Sequence, residues 1–142
     1  MVIVLLWLTA SVAQAGTFTV NNFADFQNAL QSIALDPAND HTININANIT
    51  MTGNVAPIAV NAGRSVIING NGYRIDGGNA YRPFFAHQGN ITIRDLTIEN
   101  ARAQGGAGGI GRSGGGGGLG AGAGLFVDQF ANVTLENVQF SN

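Results

Sequence analysis

The chain has 142 residues, room for one domain, and its 45% hydrophobic content is enough for a sizeable core. Eight acidic residues face six basic ones, all arginine and none in a run, which excludes a surface that tracks a nucleic-acid backbone. Cysteine is absent and His41 and His87 stand alone, so neither a disulfide framework nor a thiolate or zinc centre can be assembled.

Residues 1–15, MVIVLLWLTASVAQA, join an apolar run to small residues with an A-x-A pattern at Ala13, Gln14 and Ala15. This is the pattern of a secretory leader cleaved before Gly16. No Lys or Arg precedes the run, as expected if the start codon lies upstream of Met1. A membrane anchor is the weaker reading, because the apolar stretch is far shorter than the ~20 residues that cross a bilayer.

Residues 16–41 read as an N-terminal cap. A short strand over 17–20 is followed by NNFADFQNALQSIAL, in which Phe23, Phe26, Leu30 and Ile33 recur at helical spacing. Asn22 is placed as N-cap, Asp25 favours the first turn, and Pro37 biases Asp36 away from helix. The segment predicts one amphipathic helix.

Residues 42–142 carry apolar triplets separated by Asn, Gly and Asp, a strand-and-turn signature. The triplets group in threes: 43–45, 49–51 and 58–60; 66–68, 73–75 and 84–86; 91–93, 96–98 and 125–127; then 133–135 and 138–140. Group starts are separated by 23, 25 and 42 residues. Three short strands in about 24 residues predict a parallel β-helix, each pass stacked ~4.8 Å from the last. A β-sandwich with regular turns is the alternative. ITIRDLTIEN (91–100) aligns with VTLENVQFSN (133–142), setting Arg94 beside Glu136 as a charge pair and Asn100 beside Asn142 as the start of an asparagine ladder. On this reading the helix covers the open N-terminal end, while the other end, incomplete at Asn142, exposes an edge.

The third group is long because it holds residues 101–124, with thirteen glycines in 105–124. Gly109, Gly111 and Gly114 match the dinucleotide pattern G-x-G-x-x-G, and Arg112 and Ser113 stand where a P-loop has Lys and Ser or Thr. Both motifs need a following helix, yet residues 115–124 hold seven glycines, each disfavouring helix by ~1 kcal/mol relative to alanine. Asp128, at the distance of a ribose-binding acid, follows a repeat strand and not a βαβ unit. A calcium roll is excluded because 105–124 contains no carboxylate. The tract reads as a loop insertion, and deleting 105–122 is expected to spare the fold.

Asp76, Asp95 and Asp128 fall after different strands, and Asn137 and Ser141 align with Asp95 and Glu99, so no carboxylate cluster for glycoside cleavage is visible. The sequons at Asn48, Asn90 and Asn132 are spaced by 42 residues, which reads as a coincidence of turn chemistry. Tyr73, Tyr81, Phe84 and Phe85 are expected to stack within the solenoid rather than line a glycan groove. No catalytic, cofactor-binding or metal-ligating residue is assigned, and no cofactor is expected.

Taken together, HTININANITMTG, INGNGYRIDGGNAYRPFF and ITIRDLTIENARAQGGAGG resemble the start of an autotransporter passenger domain. GAGLFV followed by NVQFSN also resembles the repeats of polymorphic outer-membrane proteins, with Ala123 and Gly124 in place of the usual Gly-Ala. The resemblance implies a right-handed parallel β-helix, secreted or displayed at the outer membrane of a Gram-negative bacterium and linked in the full protein to an outer-membrane β-barrel. It implies a structural or adhesive, non-enzymatic role toward a host or surface ligand, glycan or protein, with no nucleic-acid partner. The alternative is the N-terminal part of a β-helical pectin or polysaccharide lyase or hydrolase whose site lies in further coils.

Overall fold

Residues 15–104 and 122–142 are described by a computed structural model of the chain. The leader reading over 1–14 and the nucleotide-like patterns at Gly109, Gly111 and Gly114 lie outside the described residues.

Strand β1 (Gly16–Val20) leads into α1 (Phe23–Leu35). Asn22 caps the helix, its side-chain oxygen accepting the Asp25 N–H at 2.9 Å, and the Asp25 carboxylate accepts the Asn21 N–H at 3.1 Å in return. At the other end the Asp36 N–H bonds the Ile33 carbonyl at 3.1 Å. Phe26, Ala29, Leu30 and Ile33 recur every three or four residues and are buried. Phe26 meets Phe84 edge to face at 5.7 Å, which ties the helix to the sheet core.

Strands β2 (His41–Ile45), β3 (Ile49–Thr50), β4 (Ile58–Ala59), β5 (Ser65–Asn69) and β6 (Arg74–Asp76) are short. Strands β7 (Phe84–Glu99) and β8 (Leu125–Ser141) are long, with a shift of register between Ala86 and Gln88 and a left-handed residue within each, Asp95 and Asn137. Among the described residues all seven strand pairings are parallel, which rules out the sandwich alternative. They form three ladders. The first runs β1, β2, β5, then residues 90–94 of β7 on 132–136 of β8. The second joins β3, β6, 97–99 and 139–141, and the third joins β4 to residues 86–88 of β7, whose 84–86 pair with 125–127 of β8.

Alternation decides what each ladder buries. Inward positions stack by type along a ladder: Ile43 on Ile68 on Ile93, and Ile49 on Ile75 on Ile98, all at most 1% exposed. Burying one such side chain stabilises the fold by about 1.5–3 kcal/mol. Between the first and second ladders the chain turns through residues that tolerate a left-handed backbone: Asn71, Asp95 and Asn137 have φ of 52°, 52° and 51°. The Asn137 amide donates to the Asp95 carboxylate at 2.8 Å, so one corner is bonded to the next.

Four expectations change. Ile43 pairs with Ile68 and His41 with Val66, a step of 25 residues in place of 23, because β2 starts two residues before the triplet at 43–45. The triplets 84–86, 91–93 and 96–98 belong to one continuous strand. Arg94 does stand opposite Glu136, but its guanidinium donates to Asn69 at 2.6 Å. Asn100 turns to Asp76 at 3.1 Å, and side-chain amide bonds instead join Asn69 to Asn44 at 2.7 Å and Asn132 to Asn90 at 3.3 Å.

Beyond β7 the outer edge of β8 is unpaired among the described residues. Val127, Phe130, Leu135 and Phe140 are 44%, 61%, 43% and 52% exposed there, in rows whose β7 counterparts include buried Ala86, Ile93 and Ile98. An open parallel edge with an apolar row is a template for another strand. The chain is therefore expected to associate as its concentration rises in sedimentation velocity. Leu135→Lys should reduce that association with circular dichroism unchanged, and a monomer at all concentrations would refute the expectation.

Candidate functional site

The polar side chains on the outer faces of the three ladders are the material from which a site could be built. On the first ladder Asn44, Asn69 and Arg94 form a continuous hydrogen-bonded row. Asn90 and Asn132 face each other in register, so the spacing of 42 between these two sequons is the stacking distance itself and not coincidence. Asn48 stands elsewhere, its side chain accepting the Arg74 N–H at 3.2 Å.

The third ladder carries the densest cluster. Phe85 packs edge to face on Phe126 at 5.2 Å, and the Arg82 guanidinium lies 5.3 Å over the Phe126 ring. Arg82 Nε also donates to the Gly122 carbonyl at 2.8 Å. Two residues further along each strand, His87 Nδ1 lies 2.8 Å from Asp128 Oδ2, with the two side chains 44% and 30% exposed. The carboxylate accepts, so Nδ1 bears the proton. Together these contacts fasten β8 to β7 at the point where the chain returns after residue 121. Phe84 thus stacks on Phe26 of the helix, and Phe85 on Phe126 within the ladder.

The three carboxylates singled out from sequence do not combine. Asp76 accepts from Gly78 N–H at 2.8 Å and Asn100, Asp95 from Asn137, and Asp128 from Gln129 N–H at 2.7 Å and His87. Each is committed to a bond that joins or shapes neighbouring passes. Among the described residues no three His, Asp or Glu side chains are grouped to hold a metal ion. A fourth carboxylate, Asp40, accepts the Ser65 N–H at 2.7 Å and its hydroxyl at 3.1 Å.

The His87–Asp128 pair was missed from sequence, although extending the match of 84–86 with 125–127 by one residue would have found it. The signal was present as a separation of 41 residues. The burial of His41, whose side chain is 1% exposed, had no comparable signal.

These bonds shift the acids. The Ser65 backbone N–H, then its hydroxyl, holds the Asp40 carboxyl below the ordinary 3.8; the Gly78 N–H and then Asn100 do so for Asp76. For Asp128 the Gln129 N–H dominates, followed by His87. A lowered folded value stabilises the fold above 3.8, and that stability is lost as pH falls below it through the folded values. The melting temperature is expected to drop between about pH 4 and pH 2. Asp76→Asn should flatten that drop, and a variant curve parallel to the native one would count against the assignment.

Gly122 is the one residue of the expected loop deletion that falls among the described residues. Its φ is +61°, and a side-chain carbon there would lie 2.5 Å from the Leu125 carbonyl. Removal of residues 105–121 is expected to leave the sheet signal in place, whereas Gly122→Ala should lower stability by roughly 1–3 kcal/mol in urea unfolding. Equal stability of Gly122→Ala and the native chain would refute the role of this turn.

A family model described as "Putative pectate lyase-like adhesive domain" matches residues 17–142. No curated protein and no solved structure matches the chain.

Proposed function

The chain belongs to this pectate lyase-like adhesive domain family, and on that premise we propose that it is a surface segment with an adhesive or structural role and no catalytic site of its own. The family match over residues 17–142 carries the reading. Two features of the molecule support it. The acids that an eliminating or hydrolysing enzyme would need to converge are spent on bonds between neighbouring strands. The outer faces instead present amide rows and an aromatic strip, chemistry that suits adhesion to a glycan or a protein surface.

In this reading the three ladders are the faces of a right-handed parallel β-helix, α1 covers its N-terminal end, and residues 16–41 act as the cap. Residues 1–15 direct export, and a signal peptidase cuts between Ala15 and Gly16. The resemblance to autotransporter passengers supports display at a Gram-negative outer membrane through a β-barrel elsewhere in a longer protein. The family's likeness to pectate lyases favours one rival, in which this segment begins a polysaccharide-cleaving enzyme.

Incubation of the exported chain with polygalacturonate and calcium separates the two. No rise in absorbance from unsaturated uronide ends is expected, while beads coated with the chain should be retained on surfaces bearing the polymer or on a panel of glycans and proteins. Cleavage that is lost in Asp76→Asn or Asp128→Asn would overturn the non-enzymatic reading. Failure of the beads to adhere to any surface in the panel would overturn the adhesive one.

A further inference from the structure

His41 is the first residue of β2, and its side chain is 1% exposed. Its Nε2 lies 2.8 Å from the Asp36 carbonyl oxygen, which can only accept, so Nε2 carries the proton and Nδ1 presents a bare lone pair. Nδ1 is buried and has no hydrogen-bond partner among the described residues. A buried acceptor in this state is costly, and native proteins rarely leave one unanswered.

What stands against Nδ1 is Gly16, the register partner of His41. A side-chain carbon built on Gly16 would lie 2.7 Å from Nδ1 and 3.0 Å from the Phe18 ring, so the α-carbon is held close to the imidazole. As a peptide nitrogen, Gly16 has one hydrogen, and it is already given to the Asp40 carbonyl at 3.2 Å. An ammonium there has three hydrogens, two more than the peptide nitrogen, on an atom bonded to the α-carbon that is held against the imidazole.

We propose that the ammonium released at Gly16 when the leader is removed is the missing donor to His41 Nδ1, so that maturation itself locks β1 onto β2. The inference rests on cleavage after Ala15. Hydrolysis adds water across the Ala15–Gly16 peptide bond, leaving a carboxylate on Ala15 and, at neutral pH, the ammonium on Gly16. A precursor that still carries the leader has an amide at this position and cannot make the bond. Its N-terminal layer is looser, which suits a chain that must cross a membrane before it folds for good.

These 142 residues hold no lysine, so within a chain of residues 16–142 the Gly16 amine is the sole primary amine. The full chain, expressed with its leader and recovered after export, is weighed intact and then treated with an acetylating reagent. Acetylation of the native protein is expected to be at least about tenfold slower than in urea. The acetylated protein should melt roughly 3–6 °C lower than the untreated one. In His41→Phe the amine should react faster and acetylation should leave melting unchanged. Because that variant could fail to fold, the Nδ1 nitrogen shift of His41 in the native chain provides an independent reading: it should move toward an unbonded value on acetylation. A mass other than that of residues 16–142 would overturn the cleavage site. The correct mass with a fully reactive amine, or with a melting point and Nδ1 shift indifferent to acetylation, would overturn the docking alone.

Discussion

Parallel pairing in register is the constraint on which the rest of the molecule depends. Each pass of the chain must return to the position of the previous one and run in the same direction, so a row along a ladder collects residues of one kind. Inward rows become columns of isoleucine, as in Ile43, Ile68 and Ile93. Outward rows become columns of amides and charges, as in Asn44, Asn69 and Arg94. The corners need residues that accept a left-handed backbone, and Asn71, Asp95 and Asn137 meet that need. One geometric rule thus explains the apolar triplets and the asparagine-rich turns together.

The same rule determines how much could be read without coordinates. Apolar triplets are local, and their grouping foretold which segments share a ladder, including the pairing of 84–86 with 125–127. The capped helix was legible for a similar reason, since Asn22, Asp25 and the Phe26–Leu30–Ile33 stripe lie within a few residues of each other. What escaped depends on offsets that triplets do not fix. A two-residue difference in where β2 begins separates a step of 23 from one of 25. Side-chain direction escaped as well: Arg94 sits opposite Glu136 yet turns toward Asn69, the amide on its other flank. The orphaned nitrogen of His41 depends on two residues brought together across the first pair of strands, and nothing local announces it.

The candidate site was legible mainly as a dispersion of acids. Asp76, Asp95 and Asp128 were expected on different turns of the chain, and each bonds a different partner. These carboxylates therefore hold the stack together. In a molecule with few charges and no disulfide, such bonds between successive passes, along with the apolar columns, resist sliding of one pass over the next. An adhesive segment gains from this, because a pull along the surface is shared among many equivalent contacts.

The junction of β7 and β8 has a further consequence. Asn90 meets Asn132 across 42 residues in the same kind of facing pair that Asn44 and Asn69 make across 25, so the pairing does not register how much chain intervenes. Arg82, Phe85 and His87 grip the returning strand at Gly122, Phe126 and Asp128, on the far side of whatever has been inserted. The register of β8 on β7 is therefore set by these contacts and not by the number of residues that separate Glu99 from Gly122. A change of length at this one corner would leave the rows of amides and isoleucines on either side in place.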